Sequence, residues 1–119
     1  MGLDISFKII DKKTPNLEYL EFEISDAWFL IPWCEKNLKL SEEDIKEGEF
    51  KTGLSTKNIG KLKKDILKSV NNMQKYKKFF SNNHITIEEM HKMTELIEII
   101  HKLKLFDTNK VNFYLEMDW

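Results

Sequence analysis

Hydrophobic and polar residues alternate strictly at both ends of this chain. Leu3, Ile5, Phe7 and Ile9 share one face near the N-terminus, and Val111, Phe113, Leu115, Met117 and Trp119 share one face at the C-terminus, against Asn112, Tyr114, Glu116 and Asp118 on the other. A period of two puts successive side chains on opposite faces, so both ends read as half-buried β-strands. A second early strand carries Leu20, Phe22 and Ile24 on one side and Tyr19, Glu21 and Glu23 on the other. Asp11 to Leu17, with Thr14-Pro15-Asn16, supplies the turn, which predicts an antiparallel hairpin with one wet face. Trp119, at the end of an unbroken apolar face, is expected in the core.

Between these ends the period changes. Ile59, Leu62, Ile66, Val70, Met73 and Phe80 recur at spacings that predict an amphipathic helix opening at Ser55 and ending at Ser81-Asn82-Asn83, weakened only modestly by Gly60. Thr86 and Glu89 form a capping box for a second helix with Ile87, Met90, Met93, Ile97, Ile100 and Leu103 inward. Ser25-Asp26 offers an N-cap for a short helix bearing Trp28, Phe29, Ile31 and Trp33 as core packing, which Pro32 should kink or end. Ser41-Glu42-Glu43-Asp44 reads as a capped turn, Gly48 to Gly53 as a loop with a brief extended piece at Phe50, and Asp107-Thr108-Asn109 as the turn into the last strand. The fold class expected is α+β: a small two-layer domain over residues 1–119, with a three-stranded, largely antiparallel sheet packed by three to four helices.

A chain of 119 residues can bury a sufficient core without disulfides, and 41% hydrophobic content sets it apart from disordered sequences. Its one cysteine, Cys34, leaves no internal disulfide. The longest uninterrupted apolar run, Ala27 to Ile31, stops at Pro32, too short for a membrane span, so a cytosolic protein with no membrane partner is expected. Gly2 and Ser6 match the N-myristoylation pattern, but Ile5 between them is committed to a strand.

The net charge of -1 hides an uneven distribution. Residues 1–56 carry seven Lys against twelve acids, 57–78 carry eight Lys against Asp65 alone, and 79–119 carry four Lys against seven acids. All 19 basic residues are Lys, so the chain has no guanidinium fork for bidentate recognition of guanine or phosphate. Lys57, Lys61, Lys63, Lys64, Lys68, Lys75, Lys77 and Lys78 lie on the helix whose apolar stripe is assigned to the core. Lys57, Lys61, Lys64 and Lys68 are the candidate contacts for an anion, either a phosphorylated small molecule or a nucleic-acid backbone. The opposite signal lies on the strands, where Tyr19, Glu21, Glu23, Tyr114 and Glu116, beside Asp118 and Asp4, predict an acidic sheet face dotted with tyrosines. Such a face suits a basic protein partner, with tyrosine giving anchoring area and carboxylates steering association.

Catalytic chemistry has little to stand on. Glu88 with His91 and Glu98 with His101 have the i, i+3 spacing of di-iron ligands, but the two pairs sit ten residues apart on one helix, about 15 Å, whereas such a site draws on several helices. A Cys34–His thiol nucleophile is arithmetically open, but a lone cysteine is usually a buried apolar filler, and neither a Gly-rich phosphate loop nor paired CxxC motifs are present. No enzyme activity, cofactor or metal is expected.

Gly2-Leu3-Asp4 at the start, a tryptophan-bearing helix after the early strands, two later amphipathic helices and an aromatic-rich last strand ending in Trp119 resemble a family of small phage and prophage proteins. Members open MGLDMYL, carry a W-R-K…W-F segment and close with a tyrosine-rich strand ending S-S-W. Gly2, Leu3, Asp4, Trp33 and Trp119 carry over, while Phe29-Leu30 replaces the basic pair after the first tryptophan. The resemblance implies a mobile-element accessory protein, with no activity established for the family and no catalytic residue to transfer. The functional expectation is therefore a binding protein of inhibitor, immunity or counter-defence type, acting through the acidic sheet face, with anion binding by the Lys-rich helix as the alternative.

Overall fold

The computed structural model describes residues 2–16, 19–71 and 86–119. Along the chain run β1 (Asp4–Asp11), β2 (Tyr19–Ser25), α1 (Leu30–Asn37), α2 (Glu42–Glu47), β3 (Glu49–Leu54), α3 (Thr56–Asn71), α4 (Ile87–Leu103) and β4 (Val111–Asp118). The strands form one antiparallel sheet in the order β2-β1-β4-β3, giving an α+β fold. The sheet thus has four strands where the hydrophobic pattern predicts three.

The extra strand is β3, which the sequence presents as a loop. Glu49-Phe50-Lys51-Thr52-Gly53-Leu54 offers only Phe50 and Leu54 as large apolar residues, too few for a period to register. Pairing decides it: β4 presents a free edge, and Glu49 to Leu54 run along it from Asp118 to Phe113. The last strand is therefore interior, flanked by β1 and β3.

The core lies on one side of this sheet. Leu3, Ile5, Phe7, Ile9, Ile24, Phe50, Leu54, Phe113, Leu115 and Met117 join Leu30, Trp33, Ile59, Leu62, Ile66, Met93, Leu96, Ile100 and Leu103 of the helices in one buried cluster. Ser55 Oγ accepts from the Asn58 N–H at 3.1 Å at the start of α3. Thr86 with Glu89 forms the capping box that its spacing predicts, and the capped turn read at Ser41 to Asp44 opens a short helix, α2, through a capping box of its own. Met73, Phe80, the helix stop at Ser81-Asn82-Asn83, and Lys75, Lys77 and Lys78 fall outside the described residues.

Local differences from the sequence reading have specific causes. Ser25-Asp26 does not cap α1; its N-cap is Phe29. Asp26, with φ of 56°, accepts the Leu3 N–H on Oδ1 at 2.9 Å and donates its own N–H to the Leu3 carbonyl at 2.7 Å, fastening the chain to the start of β1. Pro32 does not end α1, because it occupies the first turn, where its missing N–H has no intrahelical partner to lose. In α4 the buried residues are Met93, Leu96, Ile99, Ile100 and Leu103, whereas Ile87 is 81% exposed. The 3.6-residue period admits either stripe, and packing selects the one carrying Leu96. Trp28 lies outside the core, while Phe29 and Trp33 are inside it. Trp119 is half-buried against the core rather than enclosed by it.

Candidate functional site: the open face of the sheet

Alternation along each strand sends every second residue away from the helices, and register sets these outward residues in rows. One row is Ser25, Asp4, Asp118 and Glu49; the next is Glu23, Ser6, Glu116 and Lys51; the third is Glu21, Lys8, Tyr114 and Gly53. Tyr19, Ile10 and Asn112 make a fourth. Tyr19, Glu21, Glu23, Tyr114 and Glu116, drawn from opposite ends of the chain, therefore meet on one face, on strands about 10 Å apart at the usual interstrand spacing. Tyr19 is 58% exposed and Tyr114 37% exposed.

The face is acidic but not uniformly so. Lys8 stands in its middle, 2.8 Å from Glu116, with its ammonium 5.8 Å from the centre of the Tyr19 ring. The hydrogen bond to Glu116 raises the Lys8 ammonium above its ordinary pKa range, outweighing partial burial, with the charge of Glu116 and then of Glu21 adding to it. At the β3 side Lys51 lies 3.5 Å from Glu49. Glu23 and Asp118, among the described residues, have no basic group within ion-pair distance. Gly53 leaves open space beside Tyr114, since a Cβ there would meet nothing within 4 Å. Tyr114 is thus a ring reachable from the side, with Lys8 and Gly53 opposite it and Glu116 beside it along β4. Lys8 is the residue the functional reading of the sequence misses, although its alternation with Phe7 and Ile9 places it outward. Glu49 and Lys51 were hidden by the unrecognised strand.

Where β1 begins and β2 ends, beside α4, a cleft of about 590 Å³ is lined by Asp4, Ser6, Glu23, Ser25, Lys92 and Glu95, together with Ile5 and Ile24. Lys92 Nζ lies 3.5 Å from Ser25 Oγ.

The lysines of α3 are arranged differently. Lys57, Lys61, Lys64 and Lys68 fall at i, i+4, i+7 and i+11, a single exposed stripe opposite Ile59, Leu62 and Ile66. Lys63 lies off that stripe and is half-buried. Lys61 Nζ is 2.9 Å from Asp65 Oδ2, and the same oxygen accepts the Trp33 indole N–H at 3.1 Å. Desolvation is the largest influence on the Asp65 carboxyl and pushes its pKa up, but hydrogen bonds from Lys61 and Trp33, with the charges of Lys61 and Lys68, outweigh it and leave it lowered. Part of the stripe's positive charge therefore serves a structural contact between α1 and α3.

Cys34 is buried, with Sγ 3.8 Å from Met117 Sδ, and desolvation, followed by the charge of Glu35, pushes its thiol up to about 12. A thiol held protonated is no nucleophile. Glu88, His91, Glu98 and His101 are all exposed along α4. Among the described residues no three His, Cys, Asp or Glu side chains are placed to hold a metal ion, and no helix is long and apolar enough to cross a membrane. No protein-family model, curated protein or solved structure matches the chain.

Proposed function

We propose that this protein acts by binding rather than by catalysis, docking a basic protein on the open acidic face of its sheet. The observation that carries the reading is the register, which gathers Tyr19, Glu21, Glu23, Tyr114 and Glu116 on a face left uncovered by α1 to α4. Tyr114, with open space over Gly53, is the anchor; the carboxylates steer the approach. The resemblance to small phage and prophage proteins supports a mobile-element accessory role, in which the bound partner is inhibited or sequestered. The test is recovery of partners from an extract of the native host on wild-type protein, Tyr114→Ala and the double variant Glu21→Lys with Glu23→Lys. Tyr114→Ala should speed dissociation at a cost of about 2 kcal/mol. The Glu double variant should slow association and flatten its salt dependence. Equal retention of every recovered partner by all three proteins would move the site elsewhere.

A second reading follows from the Lys57, Lys61, Lys64 and Lys68 stripe, which suits a nucleic-acid backbone or a phosphorylated small molecule. The engagement of Lys61 with Asp65 weakens it. Its signature is retention on a polyphosphate resin that falls steeply with salt and is insensitive to Tyr114→Ala.

A further inference from the structure

The two edges of the sheet, β2 and β3, are finished differently. On β3 the inward Phe50 and Leu54 are buried, and Lys51 stands on the outward side, where a charge hinders pairing with another strand. β2 has neither lysine nor proline between Tyr19 and Ser25. Its Leu20 lies in register with Ile9 on the core side of the sheet; Ile9 is 2% exposed, yet Leu20 is 52% exposed. Ile24, on the same strand and the same face, is 3% exposed, so Leu20 owes its exposure to its place at the start of the edge strand. α4 reaches the strand with Lys102 over the Phe22 ring and Lys92 near Ser25, while Leu20 stays in water.

We infer that the edge of β2, unpaired among the described residues, takes one extended segment of the basic partner as a fifth strand, a segment in which basic and apolar residues alternate. This rests on the reading of the acidic face given above and names how the partner is held. Side chains directly opposite on one face of paired strands lie about 4.5–5.5 Å apart. Outward residues of an added strand therefore fall opposite Glu21 and Glu23, and its inward residues fall beside Leu20 and Phe22. Cations satisfy the first set and apolar side chains the second, covering Leu20 while main-chain hydrogen bonds satisfy the edge. A second copy of this chain is disfavoured along the middle of the strand. Self-pairing centred on Phe22 sets Glu21 opposite Glu23 twice, and centring on either glutamate sets that carboxylate opposite its own copy, which is destabilising.

The probe is a fluorescent seven-residue peptide of alternating Lys and Val, matching β2 in length, titrated against the full chain by anisotropy. Two further forms carry N-methyl groups, one on the Lys amides and the other on the Val amides. In a paired strand, alternate N–H groups point to the neighbour and to solvent. One methylated form should therefore lose about tenfold or more in affinity and the other about twofold at most, since several ladder hydrogen bonds vanish in only one of them. Leu20→Lys should also weaken the unmodified peptide about tenfold or more, by setting a cation against its apolar side. Equal binding of both methylated forms overturns strand addition; if Tyr114→Ala still weakens that binding, the peptide lies flat on the face and the broader reading stands. Failure of the unmodified peptide to bind at millimolar concentration overturns the inference too, and leaves the broader reading to the extract experiment.

Discussion

Single side chains hold this molecule together in ways that can be measured one at a time. At a pKa of about 12, the Cys34 thiol is ionised in only about one molecule in ten thousand near pH 8. Folded protein should therefore resist Ellman's reagent, and the thiol should appear only as the chain unfolds; rapid labelling of native protein would contradict this placement. Asp65 links Trp33 of α1 to Lys61 of α3 through one carboxylate oxygen. Its folded pKa is lowered, so its contribution is fully present above the ordinary carboxylate value of about 3.9 and is lost as pH falls through the folded value. Asp65→Asn should cost about 1 kcal/mol near neutral pH, and the gap to wild type in urea midpoint should close on acidification below about pH 4. Gly48, with φ of 73°, ends α2 and accepts the Trp119 N–H at 2.9 Å, and an added Cβ would collide with the Trp119 carbonyl oxygen. Gly48→Ala should cost about 1–2 kcal/mol from the left-handed backbone alone, and more from the collision. In a chain lacking Trp119 only the first part should remain, as a double-mutant cycle of melting temperatures would show.

Among the elements, β4 has the largest structural responsibility. It pairs with β1 from Val111 to Asp118 on one side and with β3 from Phe113 to Asp118 on the other. It also sends Phe113, Leu115 and Met117 into the core. Each large side chain so buried contributes roughly 1.5–3 kcal/mol, so ending the chain after Asn109 removes several kcal/mol and leaves two strands without their neighbour. The truncated chain should fail to give a cooperative thermal transition by circular dichroism; a truncated protein melting like wild type would place β4 outside the cooperative unit. The caps belong to this scale as well. The cap at Ser41 and the capping box at Thr86 were legible because a cap is a local chemical pattern with both partners within four residues.

Over the whole molecule, charge is sorted by surface: carboxylates and tyrosines on the open face of the sheet, lysines on the side of α3 away from the core. If the lysine stripe is only a solvated face, Lys57→Gln together with Lys64→Gln should leave stability within about 0.5 kcal/mol and leave capture of the proposed sheet-face partner unchanged. These two positions are the informative ones, because Lys61 and Lys68 both act on Asp65 and changing them would confound binding with stability.

What the amino-acid order determined by itself is whatever depends on short-range pattern. The strands at both ends, the helix of Ile59, Leu62 and Ile66, the Thr86 capping box, the Asp107-Thr108-Asn109 turn and the outward set Tyr19, Glu21, Glu23, Tyr114 and Glu116 all follow from periods of two or 3.6 and from caps. Tertiary structure decided what those patterns leave degenerate. The stripe of α4 that enters the core, the half-burial of Trp119, and the exposure of Leu20 beside a buried Ile9 depend on which neighbours lie above and beyond each residue. Neighbours also made Glu49–Leu54 a strand, because two large apolar residues in six carry too little signal until the edge of β4 supplies hydrogen-bond partners. Register then placed Lys8 against Glu116 and Gly53 beside Tyr114, turning residues far apart in sequence into one surface.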